Sequence, residues 1–427
     1  MKAVIRQSRL SGTMTVPPSK SHTIRAVFIA SLADGTSEII EPLASRDTEA
    51  CIRVWKALGA EIEQTRGRIT VRGTGGRIRT PDDILDTGNS GTTLFFALSA
   101  AALGEGWSFF TGDAQIRKRS AAPLLEALNR LGAEAFSSRG SGCAPAAVRG
   151  PLKGGKAEIS CSTSQYLSSL LISLPLAEND SVISVPLLNE KPYVDMTLRW
   201  LEETGIETEK ESSARFMIKG GQSYRSFRKR IPGDFSSASF FLCAAAITGS
   251  ELTLQNLDPE DSQGDRRILD ILSEMGASWT LDDSGITLKP GGLAGGDFDI
   301  NDIPDALPIL AVTACFADGE TRLLNVPQAR EKETDRIAVM AAELSKMGAS
   351  VRELPDGLVI RQSALRGAEV NGHGDHRAVM ALSAAGLAAP GETVILTAES
   401  AAVTFPDFFS ILADLTPAGA VNLEKQD

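Results

Sequence analysis

Apolar and polar positions along the chain repeat one unit five times. The segments are VWKALGAEIEQTRGRITVRG, LEALNRLGAEAFSS, LRWLEETGIETEKESSARFMIKGG, LDILSEMGASWTLDDSGITLKPGG and MAAELSKMGASVRELPDGLVIRQ. Each opens with an apolar stripe at helical spacing and then reaches a glycine: Gly59, Gly132, Gly205, Gly276 or Gly348. A glycine directly after such a stripe predicts a left-handed residue just past a helix end. The alternating apolar positions that follow predict a half-buried strand, and the polar or glycine pair after it a hairpin. By subtraction the glycines lie 73, 73, 71 and 72 residues apart. Helix, glycine and strand recur in many proteins, but chance recurrence would not keep this spacing. The period exceeds the 20–50 residues typical of solenoids, so it predicts repeated α/β subdomains. The chain is expected to stop before a sixth glycine would fall, so a sixth unit would have to combine both chain ends, drawing the N-terminal strand into the C-terminal domain.

Composition narrows the class. The chain has 427 residues, enough for two large domains at roughly 100–200 residues each. Hydrophobic residues are 42% and charged residues 23%, as in a soluble globular protein. The N-terminus has no apolar run of signal-peptide length, and no window approaches a membrane span of roughly 20 apolar residues. The scattered cysteines Cys51, Cys143, Cys161, Cys243 and Cys315 form no CxxC pair. A reduced, cytoplasmic setting is expected, with neither zinc nor a disulfide frame. The formal charge of −11 argues against general nucleic-acid binding. It leaves room for a local cationic cleft that takes small anions.

Several segments place such cations, or anion-binding glycines and hydroxyls, at predicted helix starts. In PPSKSHTIRA, Pro17 and Pro18 forbid helix and Ser19 can cap the next one, so Lys20 falls in its first turn. A cation is unfavourable there for the helix dipole, which suggests a function or a nearby anion. Ser21 and Arg25 share one face of that helix. In LDTGNSGTT, the run from Gly88 to Thr93 precedes an apolar helix, and Gly91 would let backbone N–H groups approach an anion. Arg117, Lys118 and Arg119 precede another helix, as do Ser162, Thr163, Ser164 and Gln165. Asp305 stands between two prolines, where it can cap a helix or act as a general base. In AREKETDRI, Lys332 and Arg336 are four apart and are expected to share a helix face, with Glu333 between them and Thr334 or Asp335 as cap. Asp375, His376 and Arg377 begin a further helix, and His373, Asp375 and His376 lack a persuasive metal-ligand spacing. Taken singly, each segment is as readily a capped turn or a solvated helix face. Together they suggest a cleft lined by helix N-termini that holds multiply anionic substrates.

The motifs PSKSHTIRA, DTGNSGTT, STSQYL, KPYVDMT, GDFSSASFFL, IPDALP, KETDR, GDHR and TFPDFF occur in this order over nearly the whole chain. In that order the chain resembles the 5-enolpyruvylshikimate-3-phosphate synthases of the enolpyruvyl transferase family. The related UDP-N-acetylglucosamine enolpyruvyl transferases lack PSKS and carry a catalytic cysteine in the loop corresponding to DAQIRKRS, which has none here. The resemblance implies an α/β fold of two similar domains, each of three βαβαββ subdomains in an inside-out α/β barrel, with the active site in the interdomain cleft. One domain would join residues 1–18 to 230–427, and the other would span 19–229. The implied reaction moves the enolpyruvyl group of phosphoenolpyruvate to the 5-hydroxyl of shikimate 3-phosphate and releases phosphate, on the route to chorismate and aromatic amino acids. No metal or organic cofactor is implied. The enzyme is expected to be a cytoplasmic monomer with no nucleic-acid or membrane partner.

Carried over by motif, Lys20 would contact both substrates and take part in proton transfer, and its loss is expected to stop turnover without unfolding the chain. Ser21 and Arg25 would bind the shikimate carboxylate. Thr163 and Ser164 would hold its phosphate, helped by Lys332. Gln165 and Tyr193 would line the ring site, with Gln165 also near phosphoenolpyruvate. Asp305 would take the 5-hydroxyl proton, and Glu333 would exchange a proton at C3. Gly91, Arg119, Arg336 and Arg377 would surround phosphoenolpyruvate, with His376 beside them as a catalytic group. Gly91 is glycine rather than alanine, so the family inhibitor glyphosate is expected to enter. Three positions depart from the family pattern: Phe95 replaces an arginine, Glu190 a serine that helps hold the substrate phosphate, and Val403 a lysine found in some members. Phe95 and Glu190 motivate an alternative, a related transferase with a different hydroxyl acceptor. A second alternative is a ligand-binding protein without turnover; Lys20, Asp305, Glu333 and Arg377 argue against it.

Overall fold

The computed structural model describes residues 1–212 and 214–425. Among them, all five repeat glycines lie just past helix ends with positive φ, between +86° and +112°. A side chain at these angles would be strained, so the amphipathic helix can stop and turn into the next strand there at little cost. Contrary to the expectation that the chain stops short of a sixth glycine, Gly419 (φ +85°) makes the sixth turn, after the helix Phe408–Asp414 and before the strand Val421–Glu424. Leu415, Thr416, Pro417 and Ala418 separate this glycine from the helix end, so the uniform signal is lost.

The described strands form six four-stranded sheets of one design. In one of them, Asp297–Asp299 runs parallel to Glu320–Leu324, which pairs antiparallel with Gly357–Arg361, itself the partner of Ser350–Leu354 in a hairpin. The sixth sheet keeps this order with strands from both chain ends. There Lys2–Arg6 lies between Glu392–Leu396 and Val421–Glu424, antiparallel to both. Two other sheets take their parallel edge strand from a distant segment: Thr13–Thr15 beside Leu252–Gln255, and Arg228–Arg230 beside Thr36–Ile40.

The chain divides into two compact units, Met1–Ser19 with Pro232–Asp427, and Lys20–Ile231. Each owns three of the sheets and its own hydrophobic core. Helices, not strands, fill the middle of each unit, and the sheets stay separate without closing into a barrel. In the contiguous unit the central helices are Lys20–Leu32, Gly91–Ala101 and Ser164–Ser173. In the other they are Phe235–Thr248, Leu307–Cys315 and His376–Ala388. Their sequences are apolar on nearly every face, the composition of a helix surrounded by protein. The repeated amphipathic helices cover them. This layering lets the N-termini of the central helices carry polar groups while their bodies stay in the core. No helix among the described residues is long and apolar enough to cross a membrane.

Candidate functional site

In the unit Lys20–Ile231, candidate residues gather at the starts of the central helices. Lys20 is the first residue of its helix, and its Nζ lies 3.3 Å from Asp47 Oδ2. Asp47 is held in the first turn of Arg46–Ala57, a helix closed by a Ser45–Thr48 capping box. The carboxylate offsets the unfavourable placement of a lysine at a helix N-terminus. Nothing in the sequence singles out Asp47, because an acid in a first turn is ordinary. Arg25, on the same helix, is buried. Its Nε donates to Thr197 Oγ1 at 2.9 Å, its Nη2 to the Tyr193 carbonyl at 2.9 Å and its Nη1 to the Ser21 carbonyl at 3.1 Å. These bonds fix the guanidinium plane and leave further N–H groups for an anion. Burial pushes the Arg25 pKa down to about 10, with Tyr193 acting in the opposite direction, so it remains cationic at neutral pH.

Gly91 opens the second helix, and Ser90 caps it by accepting from the Thr93 N–H at 3.3 Å. A Cβ at Gly91 would come within 2.6 Å of Arg119 Nη1 and 3.5 Å of Gln165 Oε1. The glycine therefore makes room for a guanidinium lying against the helix start. Of the basic run, Arg119 faces this spot while Arg117 and Lys118 are exposed. Phe95 is core: its ring meets Tyr166 edge-on at 5.0 Å. Phe95 is 3% exposed and part of this unit's hydrophobic core.

Thr163 caps the third helix, accepting from the Gln165 N–H at 3.4 Å. The hydroxyls of Thr163 and Ser164 and the Ser164 N–H all donate to one oxygen, Oε2 of Glu190, at 3.0, 2.8 and 3.0 Å. Glu190 itself is buried and left-handed (φ +57°), directly before the helix Lys191–Glu203.

The other unit builds a denser cluster. Arg336 is buried at the first position of its helix and meets three carboxylates: Asp375 Oδ2 at 2.8 Å from Nε, Asp305 Oδ1 at 2.7 Å from Nη1, and Glu333 at Nη2. Arg377 Nη2 lies 3.0 Å from Asp305 Oδ2, and its Nη1 donates to Ser236 Oγ at 2.6 Å. Both Asp305 oxygens are thus engaged by guanidinium groups. Burial opposes the Asp305 charge, but Arg377, Lys332 and Arg336 outweigh it and hold the carboxyl far below its usual range. Burial likewise opposes the Asp375 charge, and Arg336 leads the groups that keep it ionised. Asp375 also caps the helix His376–Ala388 through the Arg377 N–H, with His376 buried beside it.

The expected shared helix face of Lys332 and Arg336 is not found. Asp335 caps the helix that begins at Arg336, accepting from the Ala338 N–H at 3.0 Å, and Lys332–Thr334 lie in the preceding loop. That loop lets Glu333 fold back onto Arg336, which a continuous helix would orient differently. Ser236, in GDFSSASFFL, was identifiable only by analogy with the other central helix starts. Among the described residues no group of three or more His, Cys, Asp or Glu gathers as metal ligands; His373 contacts Glu343 instead, at 2.8 Å.

Replacing Arg336 with methionine is expected to cost about 3–5 kcal/mol at neutral pH, because three buried or part-buried carboxylates lose their common partner. Asp305 and Asp375 have lowered pKa values when folded, so their contribution is present above the ordinary aspartate value of about 3.9 and is lost as pH falls below it. The gap between variant and parent should therefore narrow on acidification. Denaturant midpoints at neutral and acid pH measure it, and a pH-independent gap would contradict the arrangement.

The same architecture and sequence recur in known proteins. A sequence model described as EPSP synthase (3-phosphoshikimate 1-carboxyvinyltransferase) matches residues 4–412. A 3-phosphoshikimate 1-carboxyvinyltransferase of Acetivibrio thermocellus is 56% identical over 409 residues, covering 96% of this chain and 97% of the relative. One from Ruminiclostridium cellulolyticum is 52% identical over 404 residues, covering 95% and 96%. Among solved structures, an EPSP synthase from Acinetobacter baumannii superposes with a TM-score of 0.83 at 27% identity, over 99% of this chain and 100% of that one. With a family match over most of its length and relatives above half identity, the chain belongs to the EPSP synthase (3-phosphoshikimate 1-carboxyvinyltransferase) family.

Proposed function

We propose that the chain transfers the enolpyruvyl group of phosphoenolpyruvate to the 5-hydroxyl of shikimate 3-phosphate, releasing phosphate. The observation that carries this beyond family membership is Asp305 held between Arg336 and Arg377, with Glu333 on the same Arg336. The reaction needs two acid–base groups and dense positive charge beside one another. C3 of the enol gains a proton as the acceptor oxygen attacks C2, and a base takes the hydroxyl proton. The tetrahedral intermediate then expels phosphate and loses a C3 proton, restoring the double bond.

In this reading Asp305 is the base toward the hydroxyl and Glu333 the proton-exchanging group at C3. Arg336 and Arg377 face the phosphoenolpyruvate anion, with His376 and Lys332 adding to the site. The unit Lys20–Ile231 supplies Lys20 for proton transfer and Arg119 and Gln165 beside Gly91 for phosphoenolpyruvate. It also supplies Ser21, Arg25 and Tyr193 for the acceptor carboxylate and ring, and Thr163 and Ser164 for the acceptor phosphate. The substrate anions exchange protein carboxylates for their own groups on guanidinium donors, so the charges need not be desolvated anew. We take the enzyme to act as a cytoplasmic monomer, apart from nucleic acid and membrane, in keeping with its acidic balance.

The test is phosphate release by purified protein given both substrates. Release that requires both supports the reading. Absence of release from folded protein removes it in favour of a related transferase with another acceptor, the second reading, which rests on Glu190 occupying Thr163 and Ser164. A further expectation concerns Gly91. Gly91→Ala puts a methyl group within 2.6 Å of Arg119 Nη1, too close for both to stay. Displacing one charged donor should raise the KM for phosphoenolpyruvate about 10-fold or more, since hydrogen bonds to charged groups are worth about 1.5–3 kcal/mol. An unchanged KM would remove Arg119 from that role.

A further inference from the structure

We propose that Glu190 is a built-in competitor for the acceptor's phosphate: its carboxylate occupies the anion seat at Thr163 and Ser164 and must be displaced when a phosphorylated acceptor binds. This deepens the functional reading above and rests on its assignment of those two residues to the phosphate.

The seat is a helix N-terminus with its cap hydroxyl, the arrangement that favours anions. A single Glu190 oxygen accepts all three donors there: Thr163 Oγ1, Ser164 Oγ and the Ser164 N–H. Those are the groups a phosphate would use, and a carboxylate and a phosphate cannot share them, since like charges at such a distance repel strongly.

The geometry also lets Glu190 leave. Its side chain makes no cap hydrogen bond to its own helix, Lys191–Glu203. That helix is secured by backbone instead, with the Tyr193 N–H donating to the Glu190 carbonyl at 3.1 Å. The left-handed backbone at Glu190 (φ +57°) aims the side chain back toward the neighbouring helix start. Moving the carboxylate off the seat therefore leaves the backbone start of the helix Lys191–Glu203 in place. When a competitor must first be displaced, apparent affinity falls by the fraction of molecules with the seat open. Glu190 thus sets acceptor affinity, and does so without touching the reacting carbons.

The experiment measures KM and kcat for shikimate 3-phosphate, and calorimetric binding of inorganic phosphate, in the whole protein and in Glu190→Ser, Glu190→Gln and Ser164→Ala. Both Glu190 variants should lower the KM about 10-fold and tighten phosphate binding, with kcat little changed, because the competing charge is gone. Glu190→Gln keeps the size and one acceptor, so it carries the test should the serine variant fold poorly. Ser164→Ala should raise the KM. A higher KM in Ser164→Ala with no gain in either Glu190 variant overturns the competitor role and leaves the phosphate assignment standing. An unchanged KM in Ser164→Ala overturns both. Loss of folding in both Glu190 variants would make Glu190 a structural strut and also overturn the proposal.

Discussion

Lys20→Met is expected to abolish turnover and, in addition, to lower stability by about 1–3 kcal/mol, the cost of removing a charged hydrogen-bond partner from a largely buried carboxylate. The stability term comes from the structure. Read from sequence, Lys20 is a cleft charge whose loss leaves the fold untouched. In the structure its side chain is only 16% exposed and faces Asp47, at 7%. Methionine keeps the length of the side chain but takes the cation away from the carboxylate. The double variant Lys20→Met, Asp47→Asn should recover most of the stability and none of the turnover. Phosphate-release assays and urea midpoints on the three proteins separate the two effects. Turnover retained in Lys20→Met would end its catalytic assignment, and complete unfolding would make the pair structural.

Asp305→Ala is expected to cut kcat by roughly 10²–10⁴, the usual span for a lost general base. The KM for phosphoenolpyruvate should not rise and is expected to fall, because Arg336 and Arg377 lose a protein carboxylate that competes for them. A carboxylate held so far below its normal range is a weak base, and its basicity must recover in the complex. Phosphoenolpyruvate supplies the means: once its anionic groups engage Arg336 and Arg377, less positive field remains on Asp305. The acid limb of kcat/KM, which reports the free enzyme, should therefore lie below the ordinary carboxylate range. The acid limb of kcat, which reports the complex, should lie at higher pH. Coincident limbs, or a near-normal kcat in Asp305→Ala, would remove Asp305 from the role.

The repeat was legible because one constraint recurs: an amphipathic helix that must end, turn and feed a strand needs a residue tolerant of positive φ, and glycine marks it five times. The central helices were legible as apolar runs behind polar starts. Sequence also anticipated the joining of the two chain ends in a sixth unit, but not the other pairings across distance. Thr13–Thr15 and Arg228–Arg230 are short edge strands that make sense only beside partners far along the chain. The site shows the same division. Cations stood out because a lysine or arginine at a helix start is unusual, whereas the carboxylates that answer them, Asp47 and Asp375, occupy first-turn and cap positions where acids are common. Glu190 was visible as a departure from the family pattern, but only the structure shows its carboxylate on the hydroxyls of Thr163 and Ser164.

The interleaving of both chain ends in the sixth sheet has a consequence for how the protein is made. Lys2–Arg6 is synthesised long before its neighbours, Glu392–Leu396 and Val421–Glu424. The strand therefore waits until those distant segments are made before it can pair. Lys20–Ile231, by contrast, has all its strands within one continuous stretch and can close while synthesis continues. The unit that carries Asp305 and Arg336 is thus the late-maturing one, and slow release or premature termination would leave its first strand as an unpaired edge open to pairing with other chains.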